Sequence, residues 1–202
     1  TVGSAFACAG ERCLANDVAV VEESVYDEFV EKVVSEAETQ VVGSGLDPDT
    51  DIGELITPEH EKRVRNFIQT GINEGAELLL DGRDVIVEGY EDGNFLGPTL
   101  FGDVTTDMVL AQEELFGPVL GLMRADDIDE AIDVLNGSDF GNAASLFTGS
   151  GADARKFRHR TDIGNLGINA GTAAPMAFFH FGGRKDSFFG DLHAQGEDMI
   201  HF

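Results

Sequence analysis

The chain has 202 residues, and its 38 Asp and Glu against 13 Lys and Arg give a formal net charge of −25 at pH 7. Such an acidic surface repels nucleic acid and anionic lipid, so we expect neither a nucleic-acid nor a membrane partner. No apolar run reaches the ~18 residues of a membrane helix, and the first residues do not resemble a secretory signal. Two cysteines at positions 8 and 13 make no disulfide framework. We therefore expect a folded protein of a reducing cytoplasm.

The acidity has two interpretations, an acidic disordered chain or a folded protein of a salt-rich cytoplasm. Fifteen phenylalanines and periodic apolar stripes favour the folded protein. Concentrated cations would then screen the self-repulsion of the surface. The composition therefore predicts a halophilic protein, which concerns its environment and not its function.

Four helices are predicted from capping residues and apolar spacing, in chain order. Each begins at a residue that can cap it: Ser24 in a capping box, Thr57 before Pro58, Asp127 and Ser150. Glycines 75 and 137 are expected to end the second and third helices.

Strands are predicted between these helices from short β-branched and apolar runs. The predicted ranges are 17–21, 77–80, 99–104, 119–123, 144–147 and 165–169. The acidic, glycine-containing stretch 81–94 is predicted to be a loop or hairpin excursion. Alternating strands and helices with short connections predict an α/β fold with a largely parallel sheet flanked by helices, and one domain over residues 1–202.

The stretch from Ala170 onward differs from the rest because glycines and Pro175 interrupt it. It also carries much aromatic surface, from Phe178, Phe179, Phe181, Phe188 and Phe189. A long irregular segment of this kind closes a pocket or a subunit contact, or is simply a loop pinned to the core. The sequence leaves these alternatives open.

Cys13 is the candidate nucleophile. A cysteine attacks as a thiolate, which needs partial exposure and positive potential, and Arg12 and the small residues Ala9 and Gly10 could provide both. The alternative is an inert core cysteine, which is the interpretation that we give to Cys8.

The run Glu113-Glu114-Leu-Phe116-Gly-Pro118 is a candidate cofactor clamp. A carboxylate can accept hydrogen bonds from a ribose, and an adjacent ring can hold a flat nicotinamide. The alternative is a solvated acidic turn.

Together and in this order these motifs resemble the aldehyde dehydrogenase superfamily, and within it the methylmalonate-semialdehyde dehydrogenase type. The run Gly10-Glu-Arg12-Cys13-Leu-Ala is similar to the nucleophile segment of that type, with Glu11 in place of the usual Gln. Further similar runs are 52–57, 81–83, 89–95, 97–99, 154–157, 167–169 and 181–183, so that the resemblance covers nearly the whole chain.

The resemblance implies a reaction and its residues. Cys13 would attack a small-molecule aldehyde, Glu114 and Phe116 would hold NAD, and Arg12 would pair with the substrate carboxylate or act only as a basic neighbour of the thiol. The thioester would pass to coenzyme A. The family's nucleotide-binding half, with its glycine motif, ribose-binding Lys, oxyanion-hole Asn and carboxylate base, has no counterpart in this chain. We therefore expect this chain to be inactive without that half, which a separate chain could supply; a homo-oligomer is the other partner that we expect.

Two alternatives to an active enzyme remain at this stage. One is a catalytically dead remnant that acts as an oligomerisation or interaction module, and the other is an esterase-like activity of Cys13 without the cofactor. The five histidines have no spacing typical of metal ligands, so no metal site is predicted. His60 is predicted to lie on an exposed helix face.

Overall fold

The structure is a computed structural model that describes residues 1–201, and it divides into two compact units, Thr1–Asp126 and Asp127–Phe202. Within residues 1–201 no helix is long and apolar enough to cross a membrane. Each unit has its own sheet structure and its own buried residues, and each is described in turn.

The first unit contains a four-stranded sheet whose two central strands are fully buried apart from one arginine. Its strands are β1 (Val18–Glu22), β2 (Glu77–Leu80), β3 (Thr99–Gly102) and β4 (Val119–Ala125), in the spatial order β1–β4–β3–β2. β1 and β3 both pair in parallel with β4, and β2 adds an antiparallel edge. Continuous apolar runs such as Val119–Met123 suit a strand that is covered on both faces.

The helices of the first unit are α1 (Val2–Phe6), α2 (Tyr26–Glu38), α3 (Pro58–Glu74) and α4 (Val109–Gln112). The start and end predicted for α3 are confirmed: the Thr57 side chain accepts a hydrogen bond from the His60 N–H, and Gly75 ends the helix at a φ of +99°. The capping box predicted at Ser24 is wrong. A short 3₁₀ turn, Glu23–Val25, precedes α2, and the Ser24 hydroxyl donates to Glu22 Oε1 instead.

The second unit has two small two-stranded sheets. Its elements are α5 (Ile128–Gly137), β5 (Phe140–Gly141), β6 (Ala143–Leu146), α6 (Gly151–Arg160), β7 (Asn165–Ile168), β8 (Arg184–Lys185) and α7 (Asp198–His201). β6 and β7 pair in parallel and β5 and β8 antiparallel. The caps predicted for α5 and α6 are confirmed, because Asp127 and Ser150 accept hydrogen bonds from the first helical N–H groups.

The core of the second unit lies between α5, α6 and the parallel pair, with Ile132, Ala144, Phe157 and Ile163 buried together. From Ala170 to His201 the chain is irregular except for β8 and α7, as the glycine-rich composition predicts. Stretch 81–94 is likewise a loop. The predicted α/β class with a largely parallel sheet is therefore confirmed.

Candidate active site

Parallel strand pairing brings the two candidate motifs to one edge of the first sheet. Cys13 lies five residues before β1, and Phe116 lies three residues before β4. β1 and β4 are parallel neighbours in a register that pairs Val18 with Gly121. The amino ends of parallel neighbours share an edge, so segments that are about a hundred residues apart in sequence meet there.

Two glycines pack against each other where these segments meet. Gly10 has a φ of +70°, and a Cβ added there would lie 2.0 Å from the Gly117 carbonyl oxygen. A Cβ added at Gly117 would lie 2.7 Å from Val64 of α3. The nucleophile segment, the Phe-Gly-Pro turn and α3 are therefore packed in series, at distances that only glycine allows.

The backbone just before Cys13 is left-handed over three consecutive residues, with φ of 56° at Cys8 and 54° at Ala9 before Gly10. Non-glycine residues adopt this conformation at a cost of roughly 1 kcal/mol or more each. Both cysteines carry exposed thiols that are not part of a disulfide. The interpretation of Cys8 as a core residue is thus wrong, because the left-handed turn displays its side chain to solvent.

Helix α3 fixes the turn that contains Glu114 and Phe116. The Arg63 guanidinium donates to the carbonyl oxygens of Leu115 and Glu114, both at 3.1 Å. His60 Nε2 lies 2.6 Å from the Phe116 carbonyl oxygen, and because a carbonyl only accepts, Nε2 carries the proton. These bonds hold Phe116 at a φ of +56°, another left-handed residue. The conformation of this turn is therefore stabilised by side chains of α3 as well as by its own residues.

The prediction that His60 lies on an exposed helix face is wrong. Its side chain is 16% exposed, and its ring meets the Phe116 ring edge-on with centroids 6.2 Å apart. Glu11 closes the same cluster, since its Oε1 accepts from the Ile56 N–H at 3.1 Å and lies 3.4 Å from His60 Nε2. The residue next to Arg12 thus connects the nucleophile segment to the start of α3.

Asp17 is an acidic residue of this edge that the sequence did not mark. It lies just before β1, and its backbone carbonyl accepts from the Gly121 N–H of β4 at 2.9 Å. Burial, together with the nearby Glu114 carboxylate, raises the pKa of the Asp17 carboxyl to about 7, although a hydrogen bond from the Leu115 N–H acts to lower it. A carboxyl group that changes charge near neutral pH therefore adjoins Glu114.

The side chains of the predicted site residues remain accessible. Cys13 and Glu114 are exposed, and Arg12 and Phe116 are half-buried. Among residues 1–201, neither Arg12 nor Glu114 takes part in an ion pair. An exposed thiol can act as a nucleophile. A guanidinium and a carboxylate without ion pairs in the described chain can bind an anion and accept hydrogen bonds from hydroxyl groups, respectively.

Sequence reasoning missed Asp17, Arg63 and the inward position of His60. A weak signal existed for α3, because a histidine and an arginine at positions 60 and 63 share one helix face. The partners of these side chains are backbone carbonyl groups some fifty residues away, which no local pattern shows.

Comparison with known proteins identifies one family over the full length of the chain. Residues 1–202 match the model of the aldehyde dehydrogenase family. The chain therefore belongs to the aldehyde dehydrogenase family.

Individual relatives show which members of the family this chain is similar to. Malonate-semialdehyde dehydrogenase 2 of Bacillus anthracis is 48% identical over 202 residues, which is all of this chain and 41% of that protein. A Sinorhizobium meliloti 1021 protein assigned as a methylmalonate-semialdehyde dehydrogenase, solved in complex with NAD, superposes with a TM-score of 0.97 at 41% identity. The methylmalonate-semialdehyde dehydrogenase of Oceanimonas doudoroffii gives a TM-score of 0.96 at 39% identity. The comparisons cover 99% and 98% of this chain and 41% of each of those chains, so it spans about two fifths of the relatives it matches.

Proposed function

We propose that this chain is the nucleophile-bearing part of a CoA-acylating, NAD-dependent dehydrogenase of malonate or methylmalonate semialdehyde. The observation that carries the proposal is the packing of Gly10 on Gly117, which sets the Cys13 segment against the Glu114–Phe116 turn. A thiol and a cofactor contact must be adjacent because the hydride leaves from the carbon that the thiol has attacked. The relatives named above supply the substrate class.

Cys13 forms the covalent bond in this proposal. Its thiolate adds to the aldehyde carbon and gives a thiohemiacetal, and loss of hydride from that carbon leaves a thioester on Sγ. Exposure of Cys13 allows the substrate to reach it. The strained turn at Cys8 and Ala9 sets the direction in which the backbone approaches Cys13.

Glu114 and Phe116 fit the nicotinamide-ribose end of a dinucleotide. The Glu114 carboxylate is exposed and has no cationic partner within residues 1–201, so its oxygen atoms can accept from ribose hydroxyl groups. Phe116 offers a ring next to it, on a turn that His60 and Arg63 hold in place. When bound, NAD accepts the hydride.

Arg12 is suited to bind the carboxylate of the substrate. A semialdehyde of malonate or methylmalonate carries one carboxylate, and a planar, always-charged guanidinium binds such a group through two parallel hydrogen bonds. Arg12 is adjacent to the nucleophile in sequence and has no ion pair in the described chain.

The last steps are decarboxylation of the acyl group on Cys13 and its transfer to coenzyme A. The thioester on Cys13 loses its free carboxylate as carbon dioxide, and a proton takes the vacated position. The thiol of coenzyme A exchanges with Cys13, which releases acetyl-CoA from malonate semialdehyde or propionyl-CoA from methylmalonate semialdehyde and regenerates the thiol.

The test is NADH formation in high KCl from NAD, coenzyme A and methylmalonate semialdehyde, with malonate semialdehyde in parallel. We expect Cys13→Ala to abolish turnover, because in this proposal the acyl group is carried on the Cys13 sulfur, and Cys8→Ala to retain it. Turnover that survives Cys13→Ala would contradict the assignment. Absence of NADH with the parent chain, while iodoacetamide still labels Cys13 faster than Cys8, would indicate a folded catalytic part that needs its nucleotide-binding half. Slow and equal labelling of the two cysteines would favour an interaction module instead.

A further inference from the structure

The second unit contains a cluster of potential metal ligands that the proposed reaction does not use. His180, His193 and Asp198 each offer one ligand atom, and the three atoms lie within 4.8 Å of one another. Both histidines face the same oxygen: Asp198 Oδ2 is 2.9 Å from His193 Nδ1 and 3.2 Å from His180 Nδ1. The two imidazole rings are tilted at 55° with centroids 5.6 Å apart. They therefore converge on one point instead of stacking.

The backbone positions these side chains although the segment is otherwise irregular. The Phe181 N–H donates to the Ala194 carbonyl oxygen at 2.7 Å, and the Gly196 N–H donates to the Ala177 carbonyl oxygen at 3.1 Å. These two bonds pair the stretch that carries His180 with the stretch that carries His193. The cluster is thus part of a built turn and not a chance meeting of flexible side chains.

His193 is fixed most tightly of the three. Its backbone N–H donates to Asp198 Oδ2 at 3.0 Å, and its ring stacks on Phe188 with centroids 4.8 Å apart. A Cβ at Gly182 would lie 2.0 Å from His193 Cδ2, so the ring occupies space that only a glycine leaves open. Orientation of a ligand by its surroundings is typical of metal sites.

The spacing suits a small divalent transition ion. Zinc binds imidazole nitrogen and carboxylate oxygen at about 2.0–2.2 Å, which places tetrahedral ligand atoms about 3.3–3.5 Å apart. The two histidine-to-aspartate distances are close to this, so a small outward shift would admit the ion. His180 is half exposed, which leaves the remaining coordination position to water.

We propose that His180, His193 and Asp198 form a binding site for a divalent transition-metal ion, with Zn²⁺ and Co²⁺ as the best matched by ligand type. Two imidazoles and one carboxylate are borderline ligands, which favours these ions over Mg²⁺ or Ca²⁺. The bound ion would tie the paired stretch to the start of α7. The wide separation of the two histidines in sequence explains why sequence spacing predicted no metal site.

The test is a titration with Co²⁺ alone, followed by its d–d absorption in high KCl and excess Mg²⁺, which occupies surface carboxylates. We expect one saturable Co²⁺ site whose signal Zn²⁺ removes by competition. His180→Asn should weaken the binding roughly tenfold or more. His201→Asn is the matched control, since His201 is an exposed histidine of α7 outside the cluster, and it should leave the affinity unchanged.

Several outcomes would overturn the site. These are the absence of saturable Co²⁺ binding, equal affinity in the parent and His180→Asn, or equal weakening by His201→Asn. Since the His180 side chain is half exposed, its replacement is expected to leave the fold intact, and circular dichroism checks this. Failure of this test leaves the assignment of Cys13 untouched, because the two sites share no residue.

Discussion

At the scale of single residues, Cys13 and Cys8 show how little a side-chain type says without its backbone. Both are exposed thiols in one short segment, yet Cys8 lies within the left-handed turn and Cys13 follows it on the way into β1. The turn lets Gly10 reach the Gly117 carbonyl group. Cys8 therefore belongs to the turn that supports the segment, and Cys13, the proposed nucleophile, follows that turn.

Asp17 is expected to make the free energy of unfolding depend on pH. Burial and Glu114 raise the pKa of its carboxyl from 3.8 to about 7, so between these values the folded chain holds a proton that the unfolded chain has released. The free energy of unfolding contributed by Asp17 is therefore complete below about pH 4 and falls as pH rises to 7, by up to about 1.4 kcal/mol per pH unit.

Asp17→Asn tests this dependence. The variant cannot ionise and keeps an acceptor for the Leu115 N–H, so its advantage over the parent should grow from pH 4 to pH 7 and then level off. Denaturant unfolding across this range measures the difference, and Asp92→Asn, at an exposed position, is the control. A difference between parent and variant that stays constant with pH would show that Asp17 titrates normally.

At the scale of elements, α3 is the support of the Glu114–Phe116 turn. Arg63 donates two hydrogen bonds to carbonyl groups of that turn, and it also lies over the Phe67 ring at 4.5 Å. Removing an exposed, charge-assisted donor loosens the turn without unfolding the helix.

Arg63→Met should therefore raise the KM for NAD about three- to tenfold with a smaller change in kcat, since roughly 1 kcal/mol of turn stabilisation is lost. Arg65→Met is the matched control, because Arg65 instead bonds Glu61 and the Arg83 carbonyl oxygen. Steady-state kinetics at varied NAD concentration measures both. Equal effects of the two variants would mean that the turn does not depend on α3.

The elements also show what the sequence can predict. Helix and strand positions followed from caps such as Thr57 and Asp127 and from apolar runs such as β4, because these signals act within a few residues. The fold class followed from their alternation. The left-handed turn before Cys13 and the meeting of His60 with Phe116 could not be predicted, since both depend on contacts between distant segments.

At the scale of the whole molecule, charge sets the conditions of folding. The excess carboxylates that give the net charge of −25 repel one another. At low ionic strength the screening length grows to about 30 Å, so this repulsion is poorly screened. We expect the midpoint of thermal unfolding to rise steadily from low to molar KCl, because cations screen this repulsion.

Circular dichroism melts at several KCl concentrations measure this, with equal osmolality from sucrose as the control for solvent effects. Sucrose strengthens burial of apolar surface but does not screen charge, so it should not replace KCl. A midpoint that is independent of KCl would contradict a salt-adapted surface.

The most direct test of the central claim is acylation of Cys13 by p-nitrophenyl propionate without cofactor in high KCl. The thiol attacks the ester carbonyl, p-nitrophenolate leaves, and a propionyl thioester remains on the attacking sulfur. Peptide mass spectrometry then locates the acyl group. The account predicts acylation of Cys13 with little on Cys8, although both thiols are exposed. Equal modification of the two cysteines, or acylation of Cys8 alone, would contradict the assignment of Cys13 as the nucleophile.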